Sequence, residues 1–114
     1  MKECLFCKIV DKEIPAEIVF ENNKLLAFND IDPQAPVHIL IISKEHITTA
    51  NDLTSKHKEL LGDIVLAAKR LASEYDIAED GYRMVFNCNK NGGQAVYHIH
   101  LHLLGGRQMK WPPG

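Results

Sequence analysis

Val96-Tyr97-His98-Ile99-His100-Leu101-His102-Leu103-Leu104 is the stretch that decides how this chain is read. Side chains alternate between the two faces of a β-strand. As a strand, the segment sets His98, His100 and His102 on one face. It sends Ile99, Leu101 and Leu103 to the other, where they can enter a core. Neighbouring imidazoles then stand roughly 6.5 Å apart. Three cations at that spacing would repel, so some of the rings must be neutral or paired with an anion.

Three readings fit the pattern. The first is a solvated strand face with scattered histidines. The second is a metal site, since histidines at i and i+2 can share an ion, although no acidic residue lies nearby in sequence to complete it. The third is an anion site in which one imidazole attacks and another moves protons. The flanks favour the third. Gly92-Gly93 precedes the strand and Gly105-Gly106 ends it. Glycine allows the close backbone approach that a phosphate needs.

Working outward, Val37 to Ser43 is rich in Ile and Val and reads as a largely buried strand. Ile18 to Glu21 and Lys24 to Asn29 read as strands around the turn pair Asn22-Asn23, and Met84 to Cys88 as another. Asp32-Pro33-Gln34-Ala35-Pro36 is a loop. Asn89 to Gly93 is a strong turn signal. From Thr54 to Tyr75, Leu60, Leu61, Ile64, Val65, Ala68 and Leu71 recur at the spacing of an amphipathic helix, with Thr54 as its N-cap and His57 as a solvated helix residue. Leu5 to Val10 suits a short helix. These elements predict an α+β fold: a mostly antiparallel sheet of about five strands, one long helix and a short N-terminal helix.

The 114 residues suit one domain, 1–114, with 46% hydrophobic and 25% charged residues. No apolar run approaches a membrane span, and no signal-peptide core follows Met1, so a cytoplasmic protein is expected. The net charge of −2 comes without a basic tract, which argues against a nucleic acid polymer as partner. A single small phosphate remains compatible. Three cysteines, Cys4, Cys7 and Cys88, form no disulfide framework. Cys4-x-x-Cys7 is half of a zinc site by spacing, with a redox pair as the competing reading. Cys88 reads as a buried free thiol.

The run from Gly92 to Gly114, with His-φ-His-φ-His-φ-φ at its centre (φ apolar), resembles the histidine triad superfamily and its Hint branch in particular. Asp30-Ile31-Asp32-Pro33-Gln34-Ala35-Pro36-Val37-His38 and Lys12-Glu13-Ile14-Pro15-Ala16 add to the likeness. The resemblance implies a purine nucleoside phosphoramidase that acts through a nucleotidyl-histidine intermediate and needs no catalytic cofactor. It makes His100 the nucleophile, His102 the phosphate-binding and proton-moving histidine, and His38 and His98 supporting residues. It puts Asn87, Gly93, Ala95 and Val96 around the phosphate, and Asp30 on the ribose. Leu5, Phe6, Ile9, Phe28 and Ile31 would line the base slot. Without the family, Asp30 could simply cap the Pro-rich loop, Asn87 could close a strand, and the apolar residues could be plain core.

The resemblance also implies a structural zinc on Cys4, Cys7, His46 and His98. It implies a homodimer in which the tail, about residues 105–114, carries Trp111 toward the partner's site. Many Hint relatives carry serine where this chain has Ala95, which removes one donor to the phosphate or leaving group. The rival functions are a nucleotide-binding scaffold on the same fold and a metalloenzyme that uses the histidine cluster directly.

Overall fold

The computed structural model describes residues 3–114. Its elements in chain order are α1 (Leu5–Val10), β1 (Ile18–Glu21), β2 (Leu25–Asn29), β3 (Val37–Ser43), α2 (Lys58–Glu74), β4 (Tyr82–Phe86), α3 (Asn89–Gly92) and β5 (His100–Gly105). The five strands form one antiparallel sheet in the order β1-β2-β3-β5-β4. The expected α+β architecture is the observed one.

The register explains why the two faces differ. β3 pairs with β5 so that Leu40 faces His102, Ile42 faces His100 and Ile41 faces Leu101. Because side chains alternate, Ile39, Ile41, Leu101 and Leu103 share one face with Leu25 and Ala27 of β2. There they pack on Ile64, Ala68, Leu71 and Ala72 of α2, all at 1% exposure or less. Burying each large aliphatic side chain contributes roughly 1.5–3 kcal/mol. The other face carries His38, Leu40, Ile42, His100 and His102. It meets α1 through a second cluster of Phe6, Ile9, Leu26, Phe28, Leu40 and Ile42. Thus α2 seals the sheet from one side, and the chemistry-bearing side chains sit on the side covered by the short α1 with Ile14, Ala16 and Val96 beside it.

Thr54, expected to cap the long helix, instead caps a 3-10 turn, Ser55–His57, that leads into α2. His57 is not a free surface residue: its Nδ1 accepts from the Thr54 N–H at 2.9 Å, closing a capping box.

Three boundaries differ from the sequence expectation. The histidine strand begins at His100, not Val96. Residues 94–99 spend their hydrogen bonds elsewhere: the Ile99 N–H donates to Ile47 O at 2.7 Å, and Gln94 Nε2 holds the Val96 and Thr48 carbonyls. β4 runs from Tyr82 because Gly81 turns the chain at φ 109° and Tyr82 pairs with Gly105. Asn89 to Gly92 is a helical turn closed by Gly93 at φ 80°, a left-handed position that suits glycine.

Candidate active site

β3 and β5 bring His38, His100 and His102 together, with ring centroids 4.9 Å apart for His100 and His102 and 5.2 Å for His38 and His102. Burial lowers the pKa of all three. His102 falls to about 4, through burial first and then the neighbouring His100 and His38 rings. The rings are therefore neutral near pH 7, and each has one N–H and one lone pair.

The partners decide which nitrogen holds which. The Gln34 N–H can only donate, and it meets His38 Nδ1 at 3.0 Å. His38 must then carry its proton on Nε2, which lies 2.9 Å from His102 Nδ1. His102 accepts there and carries its own proton on Nε2. The His98 carbonyl can only accept, and it meets His100 Nδ1 at 2.7 Å. His100 Nδ1 is thus the N–H, and Nε2 keeps a bare lone pair. This is the arrangement a nucleophilic imidazole requires. Phe6 packs edge-on against the His100 ring at 5.0 Å and restricts its rotation.

Asp30, just after β2, caps the loop and also faces the histidine cluster. Its Oδ1 caps the Pro-rich loop by accepting from the Asp32 N–H at 2.9 Å, and its Oδ2 stands 3.5 Å from His38 Nε2. Oδ2 of Asp30, His38 and His102 could in principle gather around an ion, since donor atoms of all three lie within 4.8 Å of one another. The Gln34 N–H opposes this: it leaves the inward Nε2 of His38 protonated, and a protonated nitrogen cannot ligate. The cluster is built for hydrogen bonding.

Of the residues expected around a phosphate, Asn87 lies between β4 and α3, and Gly93, Ala95 and Val96 lie between α3 and β5. Gly93 and Ala95 are exposed, and Asn87 and Val96 are half-buried. Gln94, which the sequence reading passed over, is buried and holds the loop from inside. It accepts from the Asn89 N–H and donates to the Thr48 and Val96 carbonyls. Phe6, Ile9 and Phe28 pack together in the apolar cluster under α1. Leu5 is half-exposed, and Ile31, next to Asp30, is 99% exposed, an apolar side chain left wholly in solvent. Trp111 is also exposed. Its tail is anchored by Arg83 Nη2 donating to Lys110 O and by Arg107 Nε donating to Gln34 O.

His98 belongs to a different cluster. Its side chain leaves the triad and joins Cys4, Cys7 and His46, whose donor atoms all lie within 4.8 Å of one another. His98 Nε2 must donate to Ser43 O at 2.6 Å, so its Nδ1 lone pair faces Cys4 Sγ at 3.3 Å and Cys7 Sγ at 3.5 Å. His46 presents Nδ1 to Cys7 Sγ at 3.2 Å while its Nε2 meets the Thr48 hydroxyl at 3.2 Å. Two sulfurs and two imidazole nitrogens converging on one point are a zinc-type donor set, with the outer nitrogens held as ligand histidines usually are. Burial and the adjacent Cys4 push the Cys7 thiol up to about 11. A thiol so reluctant to ionise is a poor redox nucleophile, whereas a cation would draw out the proton. Cys88 is a half-buried free thiol.

A HIT domain matches residues 11–109. The chain belongs to the HIT family. This member is 50% identical over 108 residues to the purine nucleoside phosphoramidase of Escherichia coli K12, covering 95% of this chain and 91% of that protein. It is 53% identical over 112 residues to a 14 kDa zinc-binding protein of Zea mays, covering 96% of this chain and 87% of the relative. Its fold matches a HIT family hydrolase from Legionella pneumophila Philadelphia 1 with a TM-score of 0.97 at 62% identity. That match spans 98% of this chain and all of the other.

Proposed function

We propose that this HIT-family hydrolase cleaves purine nucleoside 5′-phosphoramidate-type conjugates at the α-phosphate, with His100 as the nucleophile. The observation that carries the reading is the His98 carbonyl at 2.7 Å from His100 Nδ1, which leaves Nε2 free to attack. Nε2 forms a bond to phosphorus as the bond from phosphorus to the leaving nitrogen breaks. The leaving amine takes one proton, delivered through His102. Water then attacks the nucleotidyl-histidine, releases one proton and restores His100. Splitting one displacement into two lowers each barrier.

His102 suits the shuttle because its environment changes on binding. Burial and two neighbouring rings hold it near 4. An anionic phosphate beside it would favour its charged form, so the acid becomes available when substrate arrives. The His38 Nε2–H bond fixes which nitrogen of His102 faces away. Asp30 would accept the ribose hydroxyls. Phe6, Ile9 and Phe28, with the exposed Leu5 and Ile31, would receive the base by stacking and burial. The backbone N–H groups around Gly93, Ala95 and Val96, with Asn87, would hold the phosphate oxygens.

Cys4, Cys7, His46 and His98 would hold zinc as a structural ion. Four protein ligands leave no open position, so the ion supplies folding energy and no Lewis acid chemistry. The phosphoramidase of E. coli and the zinc-binding protein of Z. mays support these two assignments separately. The same reading makes the chain a single domain that works as a cytoplasmic homodimer, with Trp111 reaching the partner's site. Among the described residues no helix is long and apolar enough to cross a membrane.

Mass spectrometry of protein mixed with adenosine 5′-phosphoramidate tests the proposal. A nucleotidyl adduct mapped to His100 is expected. Turnover without any adduct, or an adduct on another residue, would refute it.

A further inference from the structure

The cysteine–histidine cluster touches the nucleotide site through each of its three chain segments. His98 reaches it through its carbonyl, which accepts from His100 Nδ1. The helix α1, capped by Cys4 and containing Cys7, reaches it through Phe6, whose ring meets His100 at 5.0 Å and Phe28 at 5.4 Å. His46 reaches it through Thr48: the Thr48 hydroxyl lies beside His46 Nε2, and the Thr48 carbonyl accepts from Gln94 Nε2 at 2.9 Å. Gln94 in turn spans the loop that carries Ala95. The nucleophile, the base slot and the phosphate loop are each one or two contacts from a metal ligand.

The Ile99 N–H bond to Ile47 O joins the His98 and His46 segments, and Phe6 and Ile9 pack α1 onto the sheet; the cysteines themselves meet the two histidines only through sulfur contacts. A helix of six residues does not persist by itself. Sulfur contacts of 3.2 to 3.5 Å are weak hydrogen bonds. An ion bonded to all three segments would order them before any nucleotide arrived, and a ligand binding to segments already ordered loses less entropy.

We infer that metal occupancy and nucleotide occupancy are energetically linked in this chain: a zinc-type ion on Cys4, Cys7, His46 and His98 presets the nucleotide site, and a bound purine nucleoside monophosphate tightens the hold on the ion. The inference rests on the nucleotide reading above. It makes His98 a positioning residue as well as a ligand. Linkage is reciprocal, so the two effects must be equal in size.

The test is calorimetric titration of adenosine 5′-monophosphate into zinc-loaded and chelator-stripped protein, with circular dichroism to show that the stripped chain is folded. The zinc affinity is then measured by competition with a chromophoric chelator, with and without the nucleotide. Stripping should weaken nucleotide binding roughly ten-fold, and the nucleotide should tighten zinc by the same factor. Equal nucleotide affinity in both folded forms overturns the linkage. Binding to neither form sinks the nucleotide reading instead, and the presetting of His100 by the metal is then judged by itself, from nitrogen-15 spectra of the histidines. Metal removal must move the His100 Nδ1–H resonance; an unmoved resonance overturns it. Zinc added back must restore the loaded values.

Discussion

Two histidine clusters meet at the Phe6 ring of α1, yet their chemistry differs. In one, His38, His100 and His102 have their Nδ1 or Nε2 atoms committed so that a chain of N–H groups ends on one side and a bare Nε2 on the other. In the other, His98 spends its proton on Ser43 O and turns its lone pair toward two sulfurs. The residue type is the same and the burial is similar. What separates a proton-handling cluster from a metal-type cluster is which backbone group each ring meets, because a carbonyl only accepts and an amide only donates.

The strongest way to break this comparison is to delete the bare lone pair. His100→Ala should abolish the adduct and lower turnover of adenosine 5′-phosphoramidate by at least roughly 10³-fold while the zinc content stays at wild-type level. Wild-type turnover in that variant would revive the scaffold reading.

Next in size is the converse change. His46→Ala should lose bound zinc by elemental analysis and lower the melting temperature, whereas His38→Ala should retain zinc. Loss of zinc from both variants would show that the two clusters are not separate.

A pH experiment sharpens the contrast further. His102 has its pKa depressed to about 4 by burial and its neighbours, against about 6.5 in an unfolded chain. Between those values the unfolded state binds more protons, so stability is full above about 6.5 and falls as pH drops toward 4. Denaturant unfolding of wild type and His102→Gln from pH 7 to 4.5 should show the steeper loss in wild type. Parallel curves would contradict the assignment.

The smallest effect concerns Ala95. A restored hydroxyl hydrogen bond to a charged group is worth roughly 1.5–3 kcal/mol, so Ala95→Ser should raise the rate on an adenosine phosphoramidate by about ten-fold or more. An unchanged rate would mean that position 95 does not touch the reacting phosphate or its leaving group.

Much of the fold was legible. Period-two alternation from His100 to Gly105, the apolar run of β3 and the helical stripe on α2 are local patterns, and each formed the expected element. The triad histidines stood out because alternation alone puts them on one face. His98 was read onto that face and instead lies outside the strand, since nothing in the sequence shows Ile99 bonding to Ile47 or the Ser43 carbonyl waiting for an imidazole. Gln94 and Thr48 were missed for the same reason. Each acts through partners more than forty residues away, as in the Gln94 to Thr48 bond. Asp30 was seen as a possible loop cap, and its Oδ1 is one; its second oxygen faces His38, a contact that no local pattern announces.

The sequence by itself determined the alternating faces, the amphipathic helix and the supply of imidazoles and thiols, all of which follow from the geometry of neighbouring residues. Only the tertiary structure decided which nitrogen of each ring is free, which histidine joins the cysteines, and which side of the sheet stays open. Those outcomes depend on strand register and on single backbone groups brought from distant segments, and local propensity carries no record of either.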